Sequence, residues 1–143
     1  MATPTNLSNI YTVGLNNVGS YQVSGMPYAT GSLDPNAAGA AGLKIEFPYV
    51  TSWVEITNHS NSELKVGFSS NGIQGTNYFR VIRNNGAKGD PTSHVLHLKV
   101  TELWLAGSPT EVDVVAGLTY IPTQQVTNVS PSGSNWSGSV GVG

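Results

Sequence analysis

The sequence predicts an all-β protein, and two observations carry that prediction. Ser, Thr, Asn, Gly and Pro occur 16, 13, 13, 17 and 8 times and make up nearly half of the 143 residues. These residues favour turns and extended segments over helix. The hydrophobic residues, 38% of the chain, are concentrated in short runs separated by turn signals, which is typical of two packed sheets of short strands.

The clearest strand is "ELKVGFSS", in which Leu64, Val66 and Phe68 share one face and alternate with polar or small residues. Such a period of two indicates a strand with one buried face. "SWVEITN" alternates in the same way, with Val54 and Ile56 on one face. The turn-forming "NHSNS" between the two segments predicts that they form a hairpin.

Further strands are predicted at "SYQVSG", "LKIEF", "NYFRVIR", "EVDVVAG" and "LTYIPTQ". The long segment "SHVLHLKVTELWLAG" has the length of a helix, but its Val, Thr and Trp content favours a strand with a bend near Thr101 or Glu102. About eight short strands with no credible helix predict two packed antiparallel sheets, as in a single jelly roll or a related β-sandwich.

All charged residues, 6 Lys and Arg and 8 Asp and Glu, lie between Asp34 and Asp113. We therefore divide the chain into an N-terminal arm with a possible first strand (1–31), a β-sandwich domain (32–125) and a Ser/Gly-rich C-terminal arm (126–143), and "LDPNAAGAAG" is expected to be a flexible connection. Interface cores are depleted in charge and enriched in aromatic residues. The flanks share that composition, with Tyr11, Tyr21, Tyr28 and Trp136 set among Val, Ile, Ser, Asn and Gly. We expect arms that neighbouring subunits hold in place, and the alternative is a solvent-exposed linker.

Composition excludes several classes of function. The net charge of −2 leaves no basic patch for direct binding of nucleic acid. Cysteine is absent, so disulfides and thiolate chemistry are excluded. The sequence has neither the pattern of a signal peptide nor an apolar run long enough for a membrane span.

No catalytic, cofactor-binding or metal-binding residue is predicted, and the protein is not expected to be an enzyme. His94 and His97 are three residues apart, which on a strand places them on opposite faces, and His59 falls in a turn. Asp113 is expected to meet Lys99 or Lys65 across a sheet. The acidic residues are scattered along the chain at Asp34, Glu46, Glu55, Glu63, Asp90, Glu102, Glu111 and Asp113.

Two further patterns bear on ligands. Trp53, Trp104 and Trp136, with six Tyr, could form a platform on which sugars stack, although core packing is the expected role of Trp53 and Trp104. Sequons for N-glycosylation occur at Asn6, Asn58, Asn128 and Asn135, and matches of this kind arise by chance in a chain so rich in Asn and Ser.

The run "NNVGSYQVSGMPYATGS" leading to "KIEFPYVTSWVEITN", followed by "LKVGFSSNGIQGTNYFRV", "LHLKVTELWLAG" and "VDVVAGLTYIPTQ", covers roughly residues 14–122. It resembles the small single jelly-roll structural proteins, of penton (vertex) or minor capsid type, of icosahedral double-stranded DNA viruses. The resemblance implies assembly surfaces and no catalytic residues.

Residues and resemblance together predict a non-enzymatic capsid subunit in the virion. It would form a homo-oligomer, with a pentamer favoured, and contact neighbouring capsid proteins through its arms, without a cofactor, direct contact with nucleic acid or a membrane span. The alternative is a carbohydrate-binding β-sandwich of the fibre or lectin type. A hydrolase is the third hypothesis, because the scattered acids and histidines leave it open.

Overall fold

The computed structural model describes residues 14–15, 25–81, 92–133 and 135–143. Within these ranges the chain forms eight strands: Met26–Leu33 (β1), Leu43–Glu46 (β2), Tyr49–Asn58 (β3), Leu64–Gly67 (β4), Tyr78–Val81 (β5), Thr92–Leu96 (β6), Glu102–Gly107 (β7) and Val112–Pro122 (β8). Three short helices accompany them, Pro35–Ala38 (α1), Ser70–Gln74 (α2) and Gln124–Thr127 (α3). The predicted all-β class is confirmed.

The strands form two antiparallel four-stranded sheets. Sheet I has the order β1-β8-β3-β6, and sheet II has the order β2-β7-β4-β5. The first strand pairs with the last, the second with the last but one, and so on inward to β4 and β5. A long antiparallel ribbon with its tip at β4 and β5 has therefore been folded over into a sandwich. Such nested pairing is the topology of a single jelly roll.

The core lies between the inner faces of the two sheets. Val54 and Ile56 of β3 and Leu64 and Val66 of β4 are fully buried, so the period-two pattern assigned their faces correctly. Phe68 lies beyond the end of β4 and is half-buried against the same core. The other fully or nearly fully buried members come from all parts of both sheets, namely Ile45, Phe47, Val81, Val100, Leu103, Leu105, Val112, Val114, Ala116 and Leu118.

The predicted hairpin between residues 52–58 and 63–70 is wrong. Strand β3 pairs with β6 and β8 in sheet I, whereas β4 pairs with β5 and β7 in sheet II. The residues between β3 and β4 therefore cross from one sheet to the other. In a jelly roll, neighbours along the sequence are separated in this way, except at the tip of the ribbon.

Two predicted strand boundaries also differ. Residues 93–107 form two strands in different sheets, since β6 ends at Leu96 and β7 begins at Glu102. The bend predicted near Thr101 or Glu102 lies in the connection that changes sheet. Conversely, the segments "EVDVVAG" and "LTYIPTQ" form the single 11-residue strand β8, because Gly117 continues the pairing with Trp53 instead of making a turn.

The first strand lies across the expected boundary between the N-terminal arm and the domain. Strand β1 pairs with β8 from Met26 to Leu33, and residues 20–24 of the predicted strand "SYQVSG" are outside the described residues. The connection expected to be flexible begins with α1, which Asp34 caps by accepting a hydrogen bond from Ala37 N. No helix among the described residues combines the length and apolar character that crossing a bilayer requires.

Candidate interaction surfaces

The sandwich has two ends that differ in how they are closed. The loop end carries the connections 34–42, 59–63 and 108–111, where β1, β3 and β7 finish. The tail end carries the connections 47–48, 68–77 and 97–101 and the segment 123–143 that follows β8. Strand alternation in an antiparallel sandwich places these two sets at opposite ends.

A histidine and an aspartate hold the strands together at the loop end. His59 Nε2 lies 2.9 Å from Asp113 Oδ2, and the backbone N–H of Ser32 donates to Asp113 Oδ1 at 2.9 Å. Asp113 therefore links β1, β8 and the residue after β3. Its partners are His59 and Ser32, so the expected contact with Lys99 or Lys65 is not the one formed.

The other histidines do not join this pair. His94 lies in β6, with its ring edge-on to Phe79 at a centroid distance of 6.3 Å, and His97 follows the end of β6 and is exposed. Glu111 lies in the loop end and is exposed. In the described part of the chain, no three His, Asp or Glu side chains are grouped so that they could hold a metal ion.

Asn135 is the central residue of the tail end. It is fully buried. Its Oδ1 accepts a hydrogen bond from Thr101 N at 2.9 Å, and its Nδ2 donates to Phe68 O at 2.7 Å and Glu102 O at 3.0 Å. One amide thus satisfies three backbone groups, two from the connections 68–77 and 97–101 and one from the first residue of β7. Asn135 has a φ of 40°, in the left-handed region that Asn tolerates better than most residues.

Trp136 anchors the same segment. Its indole Nε1 donates to Lys99 O at 2.9 Å, and its ring packs against the core as a half-buried side chain. Trp136 has a φ of 66°, which is unfavourable for a bulky residue. The contacts of its ring and of the adjacent Asn135 hold this backbone conformation in place.

A second, smaller apolar cluster lies beneath α3. Val50, Ile121 and Val126 are fully buried there, and Leu15 and Trp136 pack against them. Leu15 N also donates to Gln125 Oε1 at 3.0 Å. Parts of both uncharged flanks therefore meet at the tail end.

The last residues of the segment 123–143, which we call the tail segment, contact the connection between β4 and β5. Ser69 Oγ lies 2.8 Å from Val142 O and 3.1 Å from Gly143 O, and it also accepts from Gly72 N at 2.9 Å, as the N-cap of α2. The described part of segment 126–143 is thus bound by its own sandwich. The expectation that only neighbouring subunits order this segment is wrong, because Asn135 and Trp136 supply anchors that composition does not reveal.

The tail end presents apolar surface. A cavity of about 370 Å³ opens between the tail segment and the connection 97–101, and it is lined by Phe68, Leu98, Lys99, Val100, Trp136, Val140, Gly141 and Val142. Of the exposed large hydrophobic side chains, Leu98 (38% exposed), Tyr120 (56%), Val129 (51%) and Val140 lie at this end. The described connections and tail there contain one formal charge, Lys99.

Cations and aromatic rings alternate on the outer face of sheet II. Lys44 Nζ lies 5.8 Å from the centroid of Trp104, and Lys65 Nζ lies 4.7 Å from that of Tyr78. Arg80 Cζ is 5.8 Å from the Tyr78 ring. These are cation–π distances.

Lys44 also bridges two carboxylates. It lies 2.6 Å from Glu46 Oε1 and 3.5 Å from Glu102 Oε2, and Glu102 Oε2 accepts from Trp104 Nε1 at 2.9 Å. The hydrogen bond with Glu46 raises the pKa of Lys44 above its ordinary value, against a smaller opposing effect of burial.

The tryptophans do not form one platform. Trp104 lies on the outer face of sheet II, Trp53 points outward from sheet I opposite Gly117, and Trp136 belongs to the tail end. Neither Trp53 nor Trp104 belongs to the core clusters, so the expected core role of these two residues is wrong. Both were assigned to the core on residue type alone.

Two of the predicted sequons have an asparagine that is already engaged. Asn58 is fully buried and donates from Nδ2 to Ser62 O at 2.7 Å, and Asn135 is buried as described above. Asn128 is exposed. Asn6 lies outside the described residues.

The comparisons with known proteins give no assignment. No family model, no curated protein and no solved structure matches the chain.

Sequence reasoning missed Asn135, the most connected residue of the tail end. The local signal in the sequence is Trp136, which follows Asn135 in "SGSNWSGS" and is the only aromatic residue in the Ser/Gly-rich segment 126–143. A bulky apolar residue in such a segment is costly to leave in solvent, and this could have marked the position as an anchor.

Proposed function

We propose that the protein is a non-enzymatic structural subunit of a viral capsid, of the vertex or minor capsid type, that assembles into a closed ring. The jelly-roll topology supports this proposal at the level of fold, and fold alone does not define function. The proposal therefore also requires a surface that is suited to association with other subunits.

That surface is the tail end, and it is the observation on which the proposal depends. Leu98 and Val140 are exposed there and line an apolar cavity, and Val129 of the same end is exposed as well. Lys99 is the one formal charge in the described connections and tail at this end. Exposed contiguous apolar surface marks interaction sites in soluble proteins. Lack of charge reduces the desolvation penalty when such a surface is covered.

Ring closure follows from symmetry. When one patch of a subunit binds a different patch of an identical neighbour, the assembly terminates only if the rotation between them closes. We propose that the tail end of one subunit contacts the side of the next, and that five subunits close the ring, as a vertex requires. Neighbouring capsid proteins would then contact the ring, within the virion.

The alternative, a carbohydrate-binding module of the fibre or lectin type, depended on an aromatic platform. Trp53, Trp104 and Trp136 lie on three separate surfaces, so these three residues do not support one shared platform, and the capsid role is the function we favour.

The assembly proposal is tested by mass in solution. Sedimentation velocity of the intact chain is expected to give a pentamer, and Leu98→Asp is expected to give a monomer, because a carboxylate at the centre of the contact is costly to bury. Thr110→Asp is the matched control: Thr110 is exposed at the loop end, and this variant should assemble normally. A wild-type monomer at micromolar concentration, or a Leu98→Asp ring, would contradict the proposal.

A further inference from the structure

A polar cleft lies on the outer face of sheet II, towards the loop end. Its volume is about 460 Å³, and the residues around it include Asn36 and Gly39 near α1, Ile73 and Gln74 of α2, and Lys65 and Ala106 of the sheet. This volume falls within the roughly 300–1,000 Å³ typical of small-molecule sites.

Small and apolar residues form the floor. Ala106 is next to Lys65 in the register of β7 and β4, and its side chain is too small to fill the space above the sheet. Ile73 is buried against the sheet, and Ile73 and Ala106 expose only 3% and 6% of their surface. The floor is therefore shallow and closely packed, and a ligand would meet mainly the walls of the cleft and Lys65.

The cleft has two walls, one formed by α1 and the residues after it and the other by α2, and hydrogen bonds hold both walls in position. Asn36 N donates to Pro109 O at 3.1 Å, which holds α1 against the connection between β7 and β8. Ser70 Oγ donates to Ala41 O at 3.1 Å, and Gln74 Nε2 donates to Ser70 Oγ at 2.8 Å. The two walls are thus tied to each other as well as to the sheet, so the cleft exists before a ligand arrives, which limits the entropy that binding costs.

The backbone of the α1 wall is open to the cleft. Gly39 has a φ of 77°, and a Cβ built there would meet no atom within 4 Å. Space therefore remains for a ligand to approach this backbone closely, and a glycine is suited to this conformation.

The cleft carries one positive charge. Among the described residues, those that line it include Lys65 and no carboxylate. Glu63, two residues earlier in the chain, lies 3.9 Å from Arg80 Nε. Arg80 is the direct cross-strand neighbour of Lys65, but its charge is offset by Glu63. Lys65 is therefore the charged group that an anion in the cleft would meet.

From this arrangement we propose that the cleft binds a monosaccharide unit that carries a carboxylate, as a hexuronate does. Lys65 Nζ would pair with the carboxylate, and the side-chain amides of Asn36 and Gln74 would exchange hydrogen bonds with hydroxyl groups. The ring would lie over the shallow floor at Ala106, beside the exposed Ala40. Amides both donate and accept hydrogen bonds, which suits hydroxyls better than it suits a phosphate. The inference does not depend on the proposed capsid role, since every residue that lines the cleft belongs to one subunit.

The test is saturation-transfer difference NMR on the intact chain, which works for monomers and for large assemblies. Sodium glucuronate is the probe, glucose is its neutral counterpart, and acetate supplies the carboxylate alone. We expect transfer to the ring protons of glucuronate, and at least about tenfold weaker binding of glucose and of acetate, since each lacks one half of the recognition. No transfer to glucuronate, or displacement of glucuronate by equimolar acetate, would overturn the proposal.

Variants locate the site. Lys65→Gln is expected to weaken glucuronate binding about tenfold, through loss of the charged partner. Lys44→Gln is the matched control, because Lys44 stands on the same face of the sheet but does not line the cleft. Asn36→Ala, at an exposed position, gives an independent reading should Lys65→Gln fail to fold. Wild-type affinity in Asn36→Ala and in any folded Lys65→Gln protein would overturn the assignment, as would equal losses in Lys44→Gln and Lys65→Gln.

Discussion

The loop end and the tail end of the sandwich are closed by different kinds of contact. At the loop end, short connections close the structure with hydrogen bonds near the surface, such as the bond from Ser32 N to the half-exposed Asp113. At the tail end, a segment without charge crosses the opening and buries its polar contacts around Asn135. Hydrogen bonds that water can replace contribute little net stability, whereas buried ones are costly to break. The tail end should therefore be the more sensitive to substitution.

The largest effect is expected from Asn135→Ala. The substitution leaves one backbone N–H and two carbonyl groups without their partner, and each unsatisfied buried group costs about 1–3 kcal/mol. We expect a loss of about 3 kcal/mol in the free energy of unfolding, measured by urea titration. The exposed Asn128 gives the control, since Asn128→Ala should cost less than about 0.5 kcal/mol. Equal costs for the two variants would mean that Asn135 does not close the tail end.

Val126→Ala tests the apolar cluster of the tail end. Val126 is fully buried with Val50 and Ile121, so truncation should cost about 2 kcal/mol through lost burial and the cavity left behind. Val129→Ala is the matched control, because Val129 follows in the same segment and is half exposed. A Val126→Ala protein as stable as wild type would show that the segment after β8 is dispensable for the fold.

The loop end is expected to respond less. His59→Ala removes the partner of Asp113 Oδ2, but both side chains are part-exposed, so water can replace the bond. We expect a loss of about 1 kcal/mol. His97→Ala, at an exposed histidine outside the strands, should have no measurable effect. A cost for His59→Ala above that of Asn135→Ala would reverse the comparison of the two ends.

The smallest effect concerns Lys44, on the outer face of sheet II. The Glu46 hydrogen bond raises its pKa above the ordinary value of 10.5. The stability linked to this shift is fully present below pH 10.5 and is lost as the pH rises through the higher pKa of the folded state. Glu46→Gln should lower the pKa of Lys44, followed by NMR of its ammonium group, and cost less than about 0.5 kcal/mol at neutral pH, because both side chains are exposed. An unchanged Lys44 pKa would remove Glu46 as the cause of the shift.

The sequence predicts what local alternation determines and misses what long-range contacts determine. Val54, Ile56, Leu64 and Val66 were assigned to buried faces from a period of two, and the structure confirms each one. The hairpin between their strands was wrong, since turn residues do not record whether the chain stays in one sheet or crosses to the other.

The surfaces were less predictable than the strands. The roles of Trp104 and Asn135 depend on partners far away in the chain. Trp104 lies between Lys44 and Gly67 in the sheet, and Asn135 forms hydrogen bonds with Phe68 and Thr101. Composition indicated that the flanks avoid charge, but it could not distinguish a surface that covers its own domain from one that covers a neighbour. The cleft at Lys65 likewise has no signature in the sequence, because its lining comes from separate segments of the chain.

The nested pairing of the strands also bears on how the chain reaches its native state. Met26 of β1 can pair only after Leu118 of β8 has been synthesised, and among the eight strands of the described residues only β4 and β5 are both consecutive and paired. Proteins dominated by such distant pairings fold slowly, on the scale of milliseconds to seconds. During synthesis β1 is expected to leave the ribosome long before its partner, so its unpaired edge needs protection from other chains. Among the described strands, the β4–β5 hairpin is the pairing that can form locally, and substitutions in β4 and β5 are therefore expected to slow folding more than equally destabilising substitutions in β1.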